Sequence, residues 1–281
     1  MAEPGRRQSG RSIADLRLAG KRLSLGLLLA AAVSPVLAAD VSTLDSKSLI
    51  GESRYARCLD LAKRDAGRAL EASDAWRAAG GGAAALHCSA LALTALHRYP
   101  EAAQRLDEAA HDPMVGDAGL RAELLDQAGN AWMLAGRADK AVASLSGALA
   151  FSPHDEDLLF DRARARGLAH DWAGADTDLS AIIAQDPNRA DVFVLRASAR
   201  HAEGRKADAR ADLERALGVY PDYPEALVER GEMKLEDKDR AGAAADWQQV
   251  LRDAPNSDAG AAARAHLGEM GQNSSGKSPI R

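Results

Sequence analysis

Two cysteines, Cys58 and Cys88, are the residues of this chain best equipped for covalent chemistry. They stand thirty residues apart and form no Cys-x-x-Cys. Three chemistries are open to them: a disulfide, a pair of buried thiols, or redox or metal work. An even count in a chain bound for an oxidising compartment invites the disulfide, which would close a 30-residue loop worth ~3.5 kcal/mol of chain entropy. The histidines (His87, His97, His111, His154, His170, His201 and His266) make no His-Glu-x-x-His and no i,i+4 pair suited to zinc, so they read as surface or turn residues. Gly80-Gly81-Gly82 lacks the Lys-Ser/Thr of a phosphate loop and reads as a helix stop and flexible joint. No Gly-x-Ser-x-Gly occurs, and no carboxylate pair is set in apolar surroundings. The expectation is a chain with no catalytic residue, no cofactor and no metal site.

The elements that hold these residues follow from composition. Alanine occurs 62 times, and there are only four Trp, four Tyr and three Phe. Alanine favours helix and contributes little to strands, so an all-α protein with close helix contacts is expected. Proline then supplies a period: Pro153, Pro187, Pro221 and Pro255 are each 34 residues apart. Windows 122–155, 156–189, 190–223 and 224–257 superpose column by column. The eighth column is small (Gly129, Ala163, Ala197, Gly231), the twentieth is always alanine, and the twenty-fourth is large (Leu145, Leu179, Leu213, Trp247). Small residues sit where antiparallel helices approach, large ones fill the gap beside them, and proline starts the connection to the next repeat. Gly136, His170, Gly204 and Lys238 mark the turn inside each repeat.

This pattern resembles the tetratricopeptide repeat (TPR) family, with Trp132 on one of its aromatic positions. The resemblance implies a right-handed superhelical solenoid of helix-turn-helix repeats. It divides the chain into a degenerate helix pair (53–82), an irregular repeat (83–121) with five extra residues near 114–119, four regular repeats (122–257) and a capping helix (258–268). A disordered tail (269–281) is expected to follow. It also puts Cys58 and Cys88 on the first helices of adjacent units, which pack side by side. In TPR proteins the first helix of each repeat lines a concave groove. Mapped here, that groove contains Asp126, Asn130, Met133, Phe160, Arg164, Val194, His201, Val228, Glu232 and Leu235. Acids in the second column (Glu123, Asp157, Asp191, Glu225) suit the start of a helix and say nothing of a ligand. The groove reads as mixed apolar and mildly acidic, fit for a protein or a peptide carrying basic residues. Some TPR domains clamp a C-terminal carboxylate with a lysine at the fifth column. Asp126 stands there and Asp157 at another basic position, so that mode is not expected.

A further regularity is internal to the chain. Arg162, Arg196 and Arg230 share column seven, and Asp178, Asp212 and Asp246 share column twenty-three; the first regular repeat, with Ala128 and Ser144, lacks both. Residues that come and go together read as one structural ion pair per repeat.

The N-terminus reads as an export signal. Lys21-Arg22 precedes an apolar run from Leu23 to Ala39, with small residues before Asp40. A signal peptide over 1–38, cut after Ala38 or alternatively Ala39, would leave a polar linker at 39–52. Residues 1–39 hold six basic and two acidic residues; taking these from the chain's 36 and 41 leaves 30 and 39, a net charge of −9. So acidic a body speaks against nucleic acid or anionic lipid as a general partner. The expected protein is a periplasmic, non-catalytic scaffold or adaptor. The alternatives are an envelope accessory anchored in the inner membrane by an uncut signal, with self-association open to it, and an adaptor switched by Cys58 and Cys88.

Overall fold

A computed structural model of the protein describes residues 52–275, with side chains from 54 to 271. The expected signal peptide, all but the end of the linker, and 276–281 lie outside the described residues. Thirteen α-helices and no strand occur among the described residues. They fall into two compact units that part between Asp171 and Trp172, inside the second regular repeat.

The N-terminal unit holds α1 (Glu52–Arg64), α2 (Ala66–Ala78), α3 (Gly82–Ala95), α4 (Tyr99–Ala110), α5 (Ala118–Leu134), α6 (Ala138–Phe151) and α7 (Glu156–Leu168). Asp65, Asp117 and Asp155 start α2, α5 and α7 by accepting first-turn amide hydrogen bonds. The glycine cluster is an ordered helix stop, more than the flexible joint expected. Gly80 takes φ +85°, and Gly81 N–H reaches back to the Trp76 carbonyl, where a Cβ on Gly81 would run into the Trp76 ring. Helix α3 is enclosed on nearly every side, with Ala83 through Ala90 all buried.

The inserted residues of the irregular repeat are held by one side chain. Arg121 donates from Nε to Val115 O (2.8 Å) and from its Nη atoms to Ala110 O (3.1 Å) and Asp112 O (3.3 Å). Helix α5 accordingly starts at Ala118, four residues before the repeat window opens at 122.

The C-terminal unit holds α8 (Trp172–Gln185), α9 (Ala190–Ala202), α10 (Lys206–Val219), α11 (Pro224–Glu236), α12 (Arg240–Asp253) and α13 (Asp258–Ser275). Its core joins Phe193, Leu213, Leu227, Trp247 and Val250 with small residues between them. Helix α13 lays Ala259 and Ala263 into this core with Leu267 and Met270 beside them. It runs to Ser275, into the stretch 269–281 expected as tail, because Met270 still finds apolar neighbours and its carbonyl accepts from Arg240 (2.8 Å).

The periodic turns share one backbone state. Gly136, His170, Gly204 and Lys238 have φ of 68°, 61°, 82° and 70°, and His97 takes the same place in the irregular repeat with φ 58°. The left-handed state costs a non-glycine residue ~1–2 kcal/mol, so the geometry is dictated by the helix pair and not by residue preference. The small-large columns also meet in space. A Cβ on Gly129 would stand 2.5 Å from Leu145 Cγ, and one on Gly231 would run into the Trp247 indole.

Candidate partner-binding groove

In the N-terminal unit the candidate face is carried by α5 and α7. Asn130 Nδ2 donates to Asp161 Oδ2 (2.8 Å), to Asp126 Oδ1 (3.2 Å) and to the Asp126 carbonyl (3.2 Å). Arg164 Nη1 donates to Asp161 Oδ1 at 3.0 Å, with both side chains at most one-fifth exposed. Asp161 thus ties the two helices together, a role the column analysis missed because acids on helix faces are common. Arg164 accordingly has its charge matched within the protein. Met133 and Phe160 are half-buried and Leu134 is exposed, giving the polar row an apolar border.

One turn earlier along the array lies a second polar cluster. His87 on α3 is 1% exposed, where a surface or turn residue was expected. Its Nδ1 lies 2.5 Å from the Tyr55 hydroxyl on α1 and its Nε2 2.9 Å from Gln127 Oε1 on α5. Burial depresses the imidazole pKa below the usual 6.5, the Gln127 hydrogen bond opposing it. Burial, with Glu123 nearby, pushes the Tyr55 hydroxyl well up. Beside this cluster Cys58 and Cys88 are joined in a disulfide, Cα atoms 6.2 Å apart, with exposures of 6% and 0%. Helices α1, α3 and α5, each the first helix of a successive repeat, are therefore pinned together.

In the C-terminal unit the expected groove is largely spent on the protein itself. Val194 and Val228 are 0% and 8% exposed and belong to the core, so neither lines a surface. The small residues of column eight bring successive helices close enough to cover column five. Leu235 also packs against the core. Glu232 Oε1 lies 3.0 Å from His266 Nε2 on α13, and that imidazole stacks on Trp247 with centroids 4.7 Å apart. The capping helix thus engages the acid assigned to a ligand. His201 Nε2 lies 2.8 Å from Glu236 Oε2, which also meets Lys206 at 2.9 Å. Burial alone would raise the Glu236 carboxyl; hydrogen bonds from Lys206 and His201 outweigh it and hold the pKa down.

The paired columns form a network richer than one bridge per repeat. Arg196 meets Asp212 at two points (2.9 and 2.7 Å), and Arg230 meets Asp246 likewise (3.0 and 2.8 Å). Each aspartate takes a second cation, Arg200 at 2.8 Å or Lys234 at 2.8 Å. Arg196 Nη1 also reaches back to Ser180 of the preceding repeat (2.9 Å), as Arg162 Nη1 does to Ser146 (3.3 Å). Arg162 and Asp178 fall in different units. In the first regular repeat Ser144 replaces the aspartate and donates to Asp107 Oδ1 (2.8 Å), while Trp132 Nε1 donates to Asp107 Oδ2 (2.8 Å). Among the described residues no His, Cys, Asp and Glu group has the arrangement of a metal site.

These helix pairs define a class: an all-α helical-repeat protein whose repeats turn through a left-handed residue every 34 positions. No family model and no curated protein matches the sequence. Solved structures do. MamA of Desulfovibrio magneticus is 19% identical at a TM-score of 0.53, covering 63% of this chain and 97% of its own. YrrB, described as a TPR protein with an unusual peptide-binding site, is 20% identical at 0.52, covering 62% and 90%. A thermophilic TPR protein of Thermus thermophilus is 19% identical at 0.50, covering 66% and 99%. At such identities the likeness is one of fold, and the fold of this chain is that of the tetratricopeptide repeat proteins.

Proposed function

We propose that the protein is a non-catalytic scaffold that binds a protein or peptide through the α5–α7 face of its N-terminal unit, in the periplasm after removal of its signal. The observation that carries this reading is the rigid Asn130–Asp161–Arg164 row bordered by Met133, Leu134 and Phe160. Fixed polar groups beside apolar side chains suit a peptide, since little order is lost when it binds. The likeness to YrrB, with its peptide-binding site, supports the same reading. Arg164 is matched by Asp161, and the chain outside its first 39 residues is strongly acidic, so a basic partner fits better than an acidic one. Burial of both cysteines favours bracing over redox switching for the Cys58–Cys88 bond. No described helix is long and apolar enough to cross a membrane, and Leu23–Ala39 lies outside the described residues.

Affinity capture of the tagged full chain from its native envelope fraction tests the proposal, with the double variant Met133→Ala/Leu134→Ala in parallel. A stoichiometric companion is expected with the parent and lost with the variant at unchanged helicity. Equal recovery from both would move the binding face elsewhere. Mass spectrometry of the purified chain should find Ala39 or Asp40 at its N-terminus; an intact residue 1 would instead favour the anchored accessory.

A further inference from the structure

The loop between α10 and α11 departs from the repeat pattern at two positions. Tyr220 stands in the column that holds Ser152, Asp186 and Ala254 elsewhere, and Tyr223 in the column of Asp155, Arg189 and Ser257. Asp155 caps α7 through its carboxylate, and Ser257 Oγ accepts from the Gly260 N–H at 3.0 Å. Tyr223 starts α11 with no such bond, so the helix forgoes a side-chain cap there. Packing accounts for Tyr223, which lies partly buried against the C-terminal core. It does not account for Tyr220, which is 50% exposed. A local rule broken without a packing gain is a mark of function.

The two rings form a corner. Their centroids are 5.9 Å apart and their planes stand at 84°, with Tyr223 held by the core and Tyr220 facing solvent. Val219, the last residue of α10, is also exposed. Among the described residues neither phenol hydroxyl makes a hydrogen bond, whereas Tyr55 and Tyr99 each engage a histidine. The surroundings are acidic. Burial most of all, then Glu225 and Asp191, pushes the Tyr223 hydroxyl pKa well up, with Arg189 opposing. Asp191 has its charge matched by Arg189 at 2.9 and 2.7 Å. Glu225 is in a different position: burial raises its carboxyl pKa and Asp258 adds to the rise, against a backbone hydrogen bond. Asp222 is exposed in the same loop.

We propose that this corner receives an arginine side chain of a protein partner. An aromatic face attracts a cation through its quadrupole, and nearby carboxylates add to the attraction. Arginine suits the corner better than lysine, because a planar guanidinium stacks on one ring while its N–H groups remain for the hydroxyls and for Glu225. The same unit uses this contact internally, where the guanidinium groups of Arg196 and Arg215 lie 5.6 and 6.0 Å from the centre of the Phe193 ring. There the chain supplies the cations itself; at Tyr220 it leaves the ring to solvent. The acidity of the chain beyond its first 39 residues selects a basic partner over an acidic one. The corner lies in the C-terminal unit and stands apart from the α5–α7 face.

Titration of the full chain, carrying isotope-labelled tyrosine rings, with the capped peptide Gly-Arg-Gly tests this by NMR. A second peptide, with citrulline in place of arginine, keeps the shape and removes the charge. Saturable shifts are expected at Tyr220 and Tyr223 and not at Tyr55 or Tyr99, with the citrulline peptide moving none of them. Tyr220→Leu keeps apolar bulk but removes the ring face, and should raise the midpoint at Tyr223 about fivefold or more. Tyr220→Phe should leave it nearly unchanged, and Glu225→Gln should raise it about twofold. Because Tyr220 is half-exposed, the melting temperature should hold in all three variants. The variant Met133→Ala/Leu134→Ala should bind the arginine peptide as the parent does, which separates this corner from the α5–α7 face. The absence of saturable shifts overturns the proposal, as does an equal response to the citrulline peptide or an unchanged midpoint in Tyr220→Leu.

Discussion

The two units reach a similar helix packing by different means. The C-terminal unit repeats one solution: aspartates at column twenty-three, buried to 4% and 6%, each holding two cations across a helix pair. The N-terminal unit lacks that series in its early repeats and uses unlike devices instead. A disulfide joins α1 to α3, the Tyr55–His87–Gln127 chain joins α1, α3 and α5, Asp107 joins α4 to α5 and α6, and Arg121 pins an inserted loop. Regular sequence lets one interaction serve every repeat. Where the register slips by five residues, each contact is solved separately, and the apolar face left over on α5 and α7 is the better candidate for a partner.

Asp212→Ala should be the most damaging change to the regular unit. It would take from Arg196, only 12% exposed, its two-point partner, leaving Asp176 at 3.9 Å, and leave Arg200 with Asp176 alone, and so cost about 3 kcal/mol, the low end for a broken buried pair. Denaturant unfolding of this variant beside Asp212→Ala/Arg196→Met would show partial recovery in the double variant; a larger loss there would remove the ion-pair account. In the irregular unit the matching experiment is Cys58→Ala/Cys88→Ala. Its 30-residue loop predicts a loss of about 3.5 kcal/mol, seen as earlier melting of a distinct transition while the C-terminal unit holds. A single unchanged transition would mean that the bond braces nothing.

Smaller effects sharpen the contrast. Gly231→Ala meets the fully buried Trp247 and should cost about 1–3 kcal/mol. Gly129→Ala meets Leu145, a side chain with more rotamer freedom, and should cost less; the reverse order in melting temperatures would refute this. The smallest effect is one of pH. The folded chain keeps His87 neutral while the unfolded chain protonates it near the usual 6.5, so the unfolded state binds the extra proton. Stability of the N-terminal unit should therefore fall as pH drops below about 6.5, levelling once the depressed folded pKa is passed. His87→Gln should remove that slope and leave the C-terminal unit's pH profile as it was.

Much of the repeat register was legible because its causes are local. A turn that must take positive φ recurs every 34 residues, and it does so at His170 and Lys238 as well as at Gly136 and Gly204. The pairing of Arg196 with Asp212 and of Arg230 with Asp246 showed in their joint occurrence, since each member is costly without the other. The groove was harder to read. Its column rule puts Val194, Val228 and Glu232 on one face with Asn130 and Arg164, yet the first two are core and the third meets His266.

The sequence by itself determined an all-α chain, the period and turns of its repeats, and the candidates for its disulfide and ion pairs. These depend on helix propensity, on backbone sterics and on residues whose chemistry needs a partner. Only the tertiary structure decided which faces stay open. It enclosed His87, gave Asp161 and Asp107 their bridging roles, ran α13 to Ser275 and left the Tyr220 ring facing solvent. Exposure is set by how closely neighbouring helices approach, and that distance is fixed by residues of other helices far along the chain.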